Sequence, residues 1–160
     1  MLGSEEMRGH RLIVVIAVTV LLGARVVYAA LGESVTSVKS DQTTMHAGIM
    51  AQSTARYTMH ELTLAGNTTV REYVSPQGVV FAVTWRGTIM PNLRQLLGSY
   101  ASTAETEVGA YRAARGGGPG AVATLTSNFV FQSVGHPGFY VGRAYLQRMI
   151  PPGVTIGDIQ

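Results

Sequence analysis

The apolar pattern of this chain is sharpest in residues 79–86, VVFAVTWR, where Val79, Phe81, Val83 and Trp85 alternate with Val80, Ala82, Thr84 and Arg86. A period of two over eight residues predicts a strand with one buried and one solvated face. Residues 68–74, TTVREYV, read as its hairpin partner, joined through Ser75-Pro76-Gln77-Gly78. Proline pre-sets the first central φ angle of that turn, and glycine suits its exit. Upstream, ARYTMHELTLAG (55–66) reads as a third strand ending at the turn dipeptide Gly66-Asn67. A lone hairpin is marginal in water, so the Trp85 face needs a cover. The next element supplies one: Leu93, Leu96, Leu97 and Tyr100 fall at i, i+3, i+4 and i+7, on one face of a helix. Met90 precedes Pro91 and is held extended; Asn92 then caps the helix, with Gln95 three residues on.

Outside this region the pattern weakens. In SVTSVKSDQTTMHAGIM (34–50), Val35, Val38, Met45 and Ile49 keep helical spacing, with one polar interruption at Gln42. Residues 101–120 lose periodicity and end in a glycine-rich stretch near 114–120 that reads as a flexible connector. Ala121–Val134 and Phe139–Met149 read as a second hairpin around His136-Pro137-Gly138, and PPGVTIGDIQ as a turn and short tail. The order α-βββ-α-ββ, with hairpin-length connections, predicts an α+β domain. Its antiparallel sheet has about five strands in two hairpin groups, packed by one or two helices on one face. Phe129, Phe131, Phe139, Tyr140 and Tyr145 are then sheet core and cross-strand pairs.

The first 29 residues stand apart. Arg8 and Arg11 precede the apolar run Leu12–Ala24, and Val27 and Ala29 occupy the small-residue positions of a cleavage site. That is the layout of a secretory signal peptide. The run falls short of the about 20 apolar residues of a spanning helix and meets Arg25. Initiation at Met7 instead of Met1 would leave the cleaner basic start MRGHR. Residues 30–160 then form a single exported domain, periplasmic or secreted, with no membrane span after cleavage. A domain of that size can bury a core without covalent staples, and the chain has no cysteine, which excludes disulfides, thiol nucleophiles and thiolate metal sites. From Ala30 onward nine Lys and Arg face seven Asp and Glu. The basic residues are scattered singly along the chain, which argues against nucleic acid as a partner.

Catalytic chemistry is hard to assemble. His46, His60 and His136 share no metal-ligand spacing. His60 and Glu61 point to opposite faces of a strand, whereas Glu72 can lie opposite His60 and would raise its pKa. No serine sits in G-x-S-x-G, and the Arg115–Gly120 tract lacks the Gly-Lys-Ser/Thr ending of a phosphate loop. No catalytic, cofactor-binding or metal-binding residue is therefore assigned, and no cofactor is expected.

REYVSPQGVVFAVTWRG, MPNLRQLLGSY and GRAYLQRMIPPGV, in that order, resemble a family of exported proteobacterial proteins classed as domain of unknown function 2844. The resemblance spans nearly all of the chain after the leader, and is weakest over residues 101–120. It implies a signal peptide and one exported domain, and brings no activity or site residue. Two functions follow as expectations. One is a non-catalytic binding or envelope-associated protein that takes a protein partner on a sheet edge, supplied by strand 55–65 or strand 139–149. The other is a small exported hydrolase using a His–carboxylate pair.

The leader makes one measurable prediction. Mass spectrometry of the protein from its native host should find an N-terminus at Ala30; an intact chain recovered from membranes would establish an anchor instead.

Overall fold

The computed structural model describes residues 30–160; the signal-peptide expectation concerns residues 1–29 and lies outside the described residues. The chain forms helix α1 (Thr36–Thr44), strands β1 (Gly48–Ser53), β2 (Thr58–Leu64), β3 (Thr68–Val74) and β4 (Val80–Gly87), the short helix α2 (Leu93–Leu97), the long helix α3 (Ala101–Ala114), and strands β5 (Val122–Leu125), β6 (Phe129–His136) and β7 (Phe139–Leu146). All seven strands join one antiparallel sheet in the order β1-β2-β3-β4-β7-β6-β5. Two meanders, β1 to β4 and β5 to β7, meet along the β4–β7 ladder.

The α+β class holds, and the count of about five strands is corrected to seven. One extra strand comes from the predicted helix 34–50. It ends at Thr44, and His46, at φ 50, turns the chain so that Gly48–Ser53 pairs along β2. The second comes from splitting the predicted strand 121–134. Thr126 turns the chain, its amide and hydroxyl both bonding the Phe129 carbonyl, at 2.9 and 3.3 Å. The interval 101–120 is also corrected, because α3 occupies fourteen residues of it. Its Ala- and Glu-rich sequence favours helix by intrinsic propensity without a strong apolar stripe. Around the glycine tract after it, the Arg115 guanidinium donates to the carbonyls of Ala121 at 3.0 Å and Pro119 at 2.9 Å.

One sheet face carries the helices. Leu62, Val70, Val83, Trp85, Phe131 and Leu146 pack there against Leu31, Val38, Leu96, Leu97 and Ala104. The predicted Asn92 cap is present, its side chain accepting from the Gln95 amide at 3.3 Å. Residues 31–35 run beside the β3–β4 turn, with the Gly32 amide on the Val80 carbonyl at 2.8 Å and that of Val35 on Gly78 at 2.7 Å. Trp85 lies opposite Gly142, where any Cβ would collide with the indole, and its ring centroid is 5.7 Å from that of Phe131. Gly98, at φ 51, likewise leaves room for Ala30, which a Cβ would strike.

The strict alternation predicted for 79–86 breaks at Phe81. Tyr73 pairs with Ala82 and Val74 with Val80, so Phe81 is an extra residue on β4, a β-bulge. It shifts the parity: Val80, Val83 and Trp85 face the helices, while Phe81 and Ala82 join Tyr73, Val130, Tyr145 and Ile159 in a second core. The opposite face is therefore not solvated at this end. Thr84 is only 5% exposed, and Ile159, from what read as a short tail, is 0% exposed. The Tyr73 hydroxyl donates to the Gln160 carbonyl at 2.8 Å and accepts from the Gln160 amide at 3.1 Å, which pins this segment across β3.

Both cores are open to test by urea denaturation. Trp85→Ala should cost about 3–5 kcal/mol and Ile159→Ala about 2–5 kcal/mol, as cavities in buried apolar sites do. An Ile159→Ala midpoint equal to that of the parent would show that residues 150–160 do not form core.

Candidate functional site

The second face of the sheet is ordered in rows, because antiparallel register brings one residue of each strand into line. One row reads Gln52, Met59, Tyr73, Ala82, Tyr145, Val130, Leu125 from β1 to β5. Its centre is apolar and is covered by Ile150, Val154, Ile156 and Ile159. The next row reads Met50, Glu61, Arg71, Thr84, Arg143, Gln132, Ala123, and its five central positions are polar or charged. Here Arg71 Nε donates to Glu61 Oε2 at 2.8 Å, and Arg143 Nε to Gln132 Oε1 at 2.7 Å. Their Nη1 atoms reach the covering segment, Arg71 to the Gln160 carbonyl at 2.9 Å and Arg143 to that of Ile156 at 3.2 Å. The Glu61 carboxylate, by hydrogen bond, holds the Arg71 guanidinium above its ordinary pKa.

Beyond this row the covering segment stops and the sheet face lies open as a groove of about 800 Å3. Arg71, Arg86 and Arg143 line it together with Glu61, Thr84 and Phe139. Arg86 stands two residues from Thr84 on β4, its guanidinium 5.6 Å from the centre of the Phe139 ring. The sequence scatters these three arginines over seventy-odd positions. Only strand register brings them onto one surface, so no local motif marks the site. Phe139, expected in the core, is 38% exposed at its rim, whereas Phe129 and Phe131 are buried as expected. A smaller cavity of about 310 Å3 lies under α3, lined by Leu93, Leu97, Ala104, Val108 and Phe131, with Arg112 on its wall.

The histidines do not meet. His46 follows α1, His136 ends β6 with Nδ1 3.0 Å from the Pro137 carbonyl, and His60 lies mid-strand on β2. His60 is directly opposite Glu72, and the pair shares the helix-covered face, where Glu72 is 1% exposed. The pKa expectation reverses: burial holds the imidazole below its ordinary value, and Nδ1 is buried without a hydrogen bond among the described residues. Neither residue lines the groove or the cavity under α3. Among the described residues no group of three His, Asp or Glu could hold a metal ion, and no helix is long and apolar enough to cross a membrane.

The edges also fall elsewhere than expected. Strand 55–65 is β2, interior between β1 and β3, and strand 139–149 is β7, interior between β4 and β6. Among the described residues the free edges are β1 and β5, because residues 48–53 cap the first meander and residues 122–125 the second.

In comparisons with known proteins, the family described as "Protein of unknown function (DUF2844)" matches residues 27–159. No curated protein and no solved structure matches the chain.

The depressed His60 pKa fixes a sign for the pH dependence of stability. Its contribution is fully present above the unfolded value of about 6.5 and is lost as pH falls through the lower folded value. Between pH 7 and 5 the urea midpoint should therefore fall more steeply for the parent than for His60→Gln. Asp158, held below its ordinary 3.8 by hydrogen bonds from the Thr155 amide and hydroxyl, titrates under that window. Equal slopes for the two proteins would show that His60 is not the group responsible.

Proposed function

The chain belongs to the DUF2844 family, and for this member we propose an exported, non-catalytic binding protein, periplasmic or secreted, that takes a protein partner by strand addition on β1. The leader layout of residues 1–29 supports export. The observation that carries the binding reading is the edge itself. Gly48–Ser53, GIMAQS, has six residues with neither a charge nor a proline, and five of the six are exposed. Edge strands are ordinarily blunted by charges, prolines or bulges, because their unpaired amides and carbonyls template another strand. β5, four residues long and packed against α3, offers a shorter ladder. An extended segment of a partner laid along β1 would gain backbone hydrogen bonds, with side-chain selectivity from alternate positions. The hydrolase alternative needs a His and a carboxylate in one cleft. Among the described residues the one such pair in register, His60 and Glu72, lies beneath the helices instead.

The domain recovered from envelope extract of its native host should carry a partner that slows amide exchange over residues 48–53. Ala51→Pro, and separately Ala51→Lys, should lose that partner while Trp85 fluorescence keeps its folded signature. Protection mapping to another surface, or capture undiminished in both variants, would sink the edge reading. Hydrolytic activity abolished by His60→Gln would establish the alternative.

A further inference from the structure

The open half of the second face carries chemistry that strand addition on β1 does not use. The geometry points to the groove as a binding site for a small polyanion, a phosphate ester or polycarboxylate whose oxygens are shared by Arg71, Arg86 and Arg143. Strand spacing sets the scale. Arg71 and Arg143 flank Thr84 on the two neighbouring strands, which puts their Cα atoms about 10 Å apart; Arg86 lies about 7 Å from Thr84 along β4. Three guanidinium groups thus surround one threonine on a single concave surface.

Two of the three are already aimed. Arg71 is fixed through Nε to Glu61 and through Nη1 to the Gln160 carbonyl, and Arg143 through Nε to Gln132 and through Nη1 to the Ile156 carbonyl. Each guanidinium has five N–H donors, more than these contacts use, and Nη2 of Arg143 makes no hydrogen bond among the described residues. A planar fork held in this way loses little further freedom when it grips an oxyanion. The Arg86 side chain makes no hydrogen bond or ion pair among the described residues; its position over the Phe139 ring is its one specific contact. Against three positive charges the side chains lining the groove set one carboxylate, Glu61, already committed to Arg71. Electrostatic complementarity therefore calls for a ligand with at least two negative charges. A volume of about 800 Å3 suits a small molecule. Thr69 and Thr84, in the same rows as Arg86 and Arg71, add hydroxyls to the lining for the uncharged part of such a ligand.

Arg86 is the residue on which to test the site, because Arg71 and Arg143 also hold residues 156–160. Isothermal titration calorimetry of the chain from Ala30 at low ionic strength would use pyrophosphate and citrate as separate probes, with acetate as the singly charged control. One-site binding of pyrophosphate, citrate or both is expected, with acetate silent. Whichever binds more tightly assigns phosphate or carboxylate chemistry. Arg86→Gln should weaken that binding by about tenfold or more, the loss of one charge-assisted contact, and leave the urea midpoint of the free protein unchanged. Ala51→Lys, on the other sheet face and three strands from β4, should leave it intact, so failure here and failure of the edge reading are separable. Absence of binding by both probes at millimolar concentration would overturn the proposal, as would affinity indifferent to Arg86→Gln.

Discussion

The pairing of β4 with β7 is the constraint on which the rest of the molecule depends. Each meander is local, built from hairpins that close at short range. Only the ladder from Ala82–Gly87 to Tyr140–Tyr145 makes them one sheet. It sets Trp85 over Gly142 and places Thr84 beside Arg143. It also provides a floor wide enough for α2 and α3 on one side and residues 150–160 on the other. Without this pairing each half would present an apolar face and an unpaired edge to water, the condition that makes small sheets marginal.

Two-sided burial of β4 follows from the bulge at Phe81. A regular strand sends every second residue to one face, so its six buried residues would divide as the sequence suggests. The extra residue instead hands Phe81 to the second core, leaving Val80 with Val83 and Trp85. The covering segment is thereby anchored at the apolar end of the face, with the polar row as its border. That border is what leaves the remaining face uncovered: the arginines that meet the segment's last carbonyls also form one wall of the groove.

Much of the first meander was legible in the sequence, because its signals are local. The turn at Ser75–Gly78 forms as its proline and glycine dictate, the Gly78 amide on the Ser75 carbonyl at 2.8 Å. The cap on Asn92 and the burial of Leu96 and Leu97 were equally readable. Much of what escaped depends on pairing with another segment. GIMAQS has no alternation of its own and becomes a strand because β2 offers it a ladder. Thr126-Ser127-Asn128 could have been read as a turn, and the alanines of 101–114 as helix formers, had propensity been weighed beside periodicity. The bulge, the buried Ile159 and the meeting of Arg71, Arg86 and Arg143 are matters of register. A single sequence carries register only in the hydrophobic pattern, and β4 is apolar on both faces.

The separation of β4 from β7 along the chain has a consequence for how the molecule comes into being. A polypeptide emerging from its N-terminal end completes β4 long before Phe139–Leu146 exists to pair with it. Throughout that interval VFAVTWRG, which has more buried residues than any other strand of the first meander, borders it with its backbone groups unmet. A single charge, Arg86, stands on this edge, whose very suitability for β7 makes it adhesive to anything extended. Vectorial synthesis thus passes through a state in which the future centre of the sheet is its boundary. Until residue 146 arrives, nothing in the chain itself can complete that boundary.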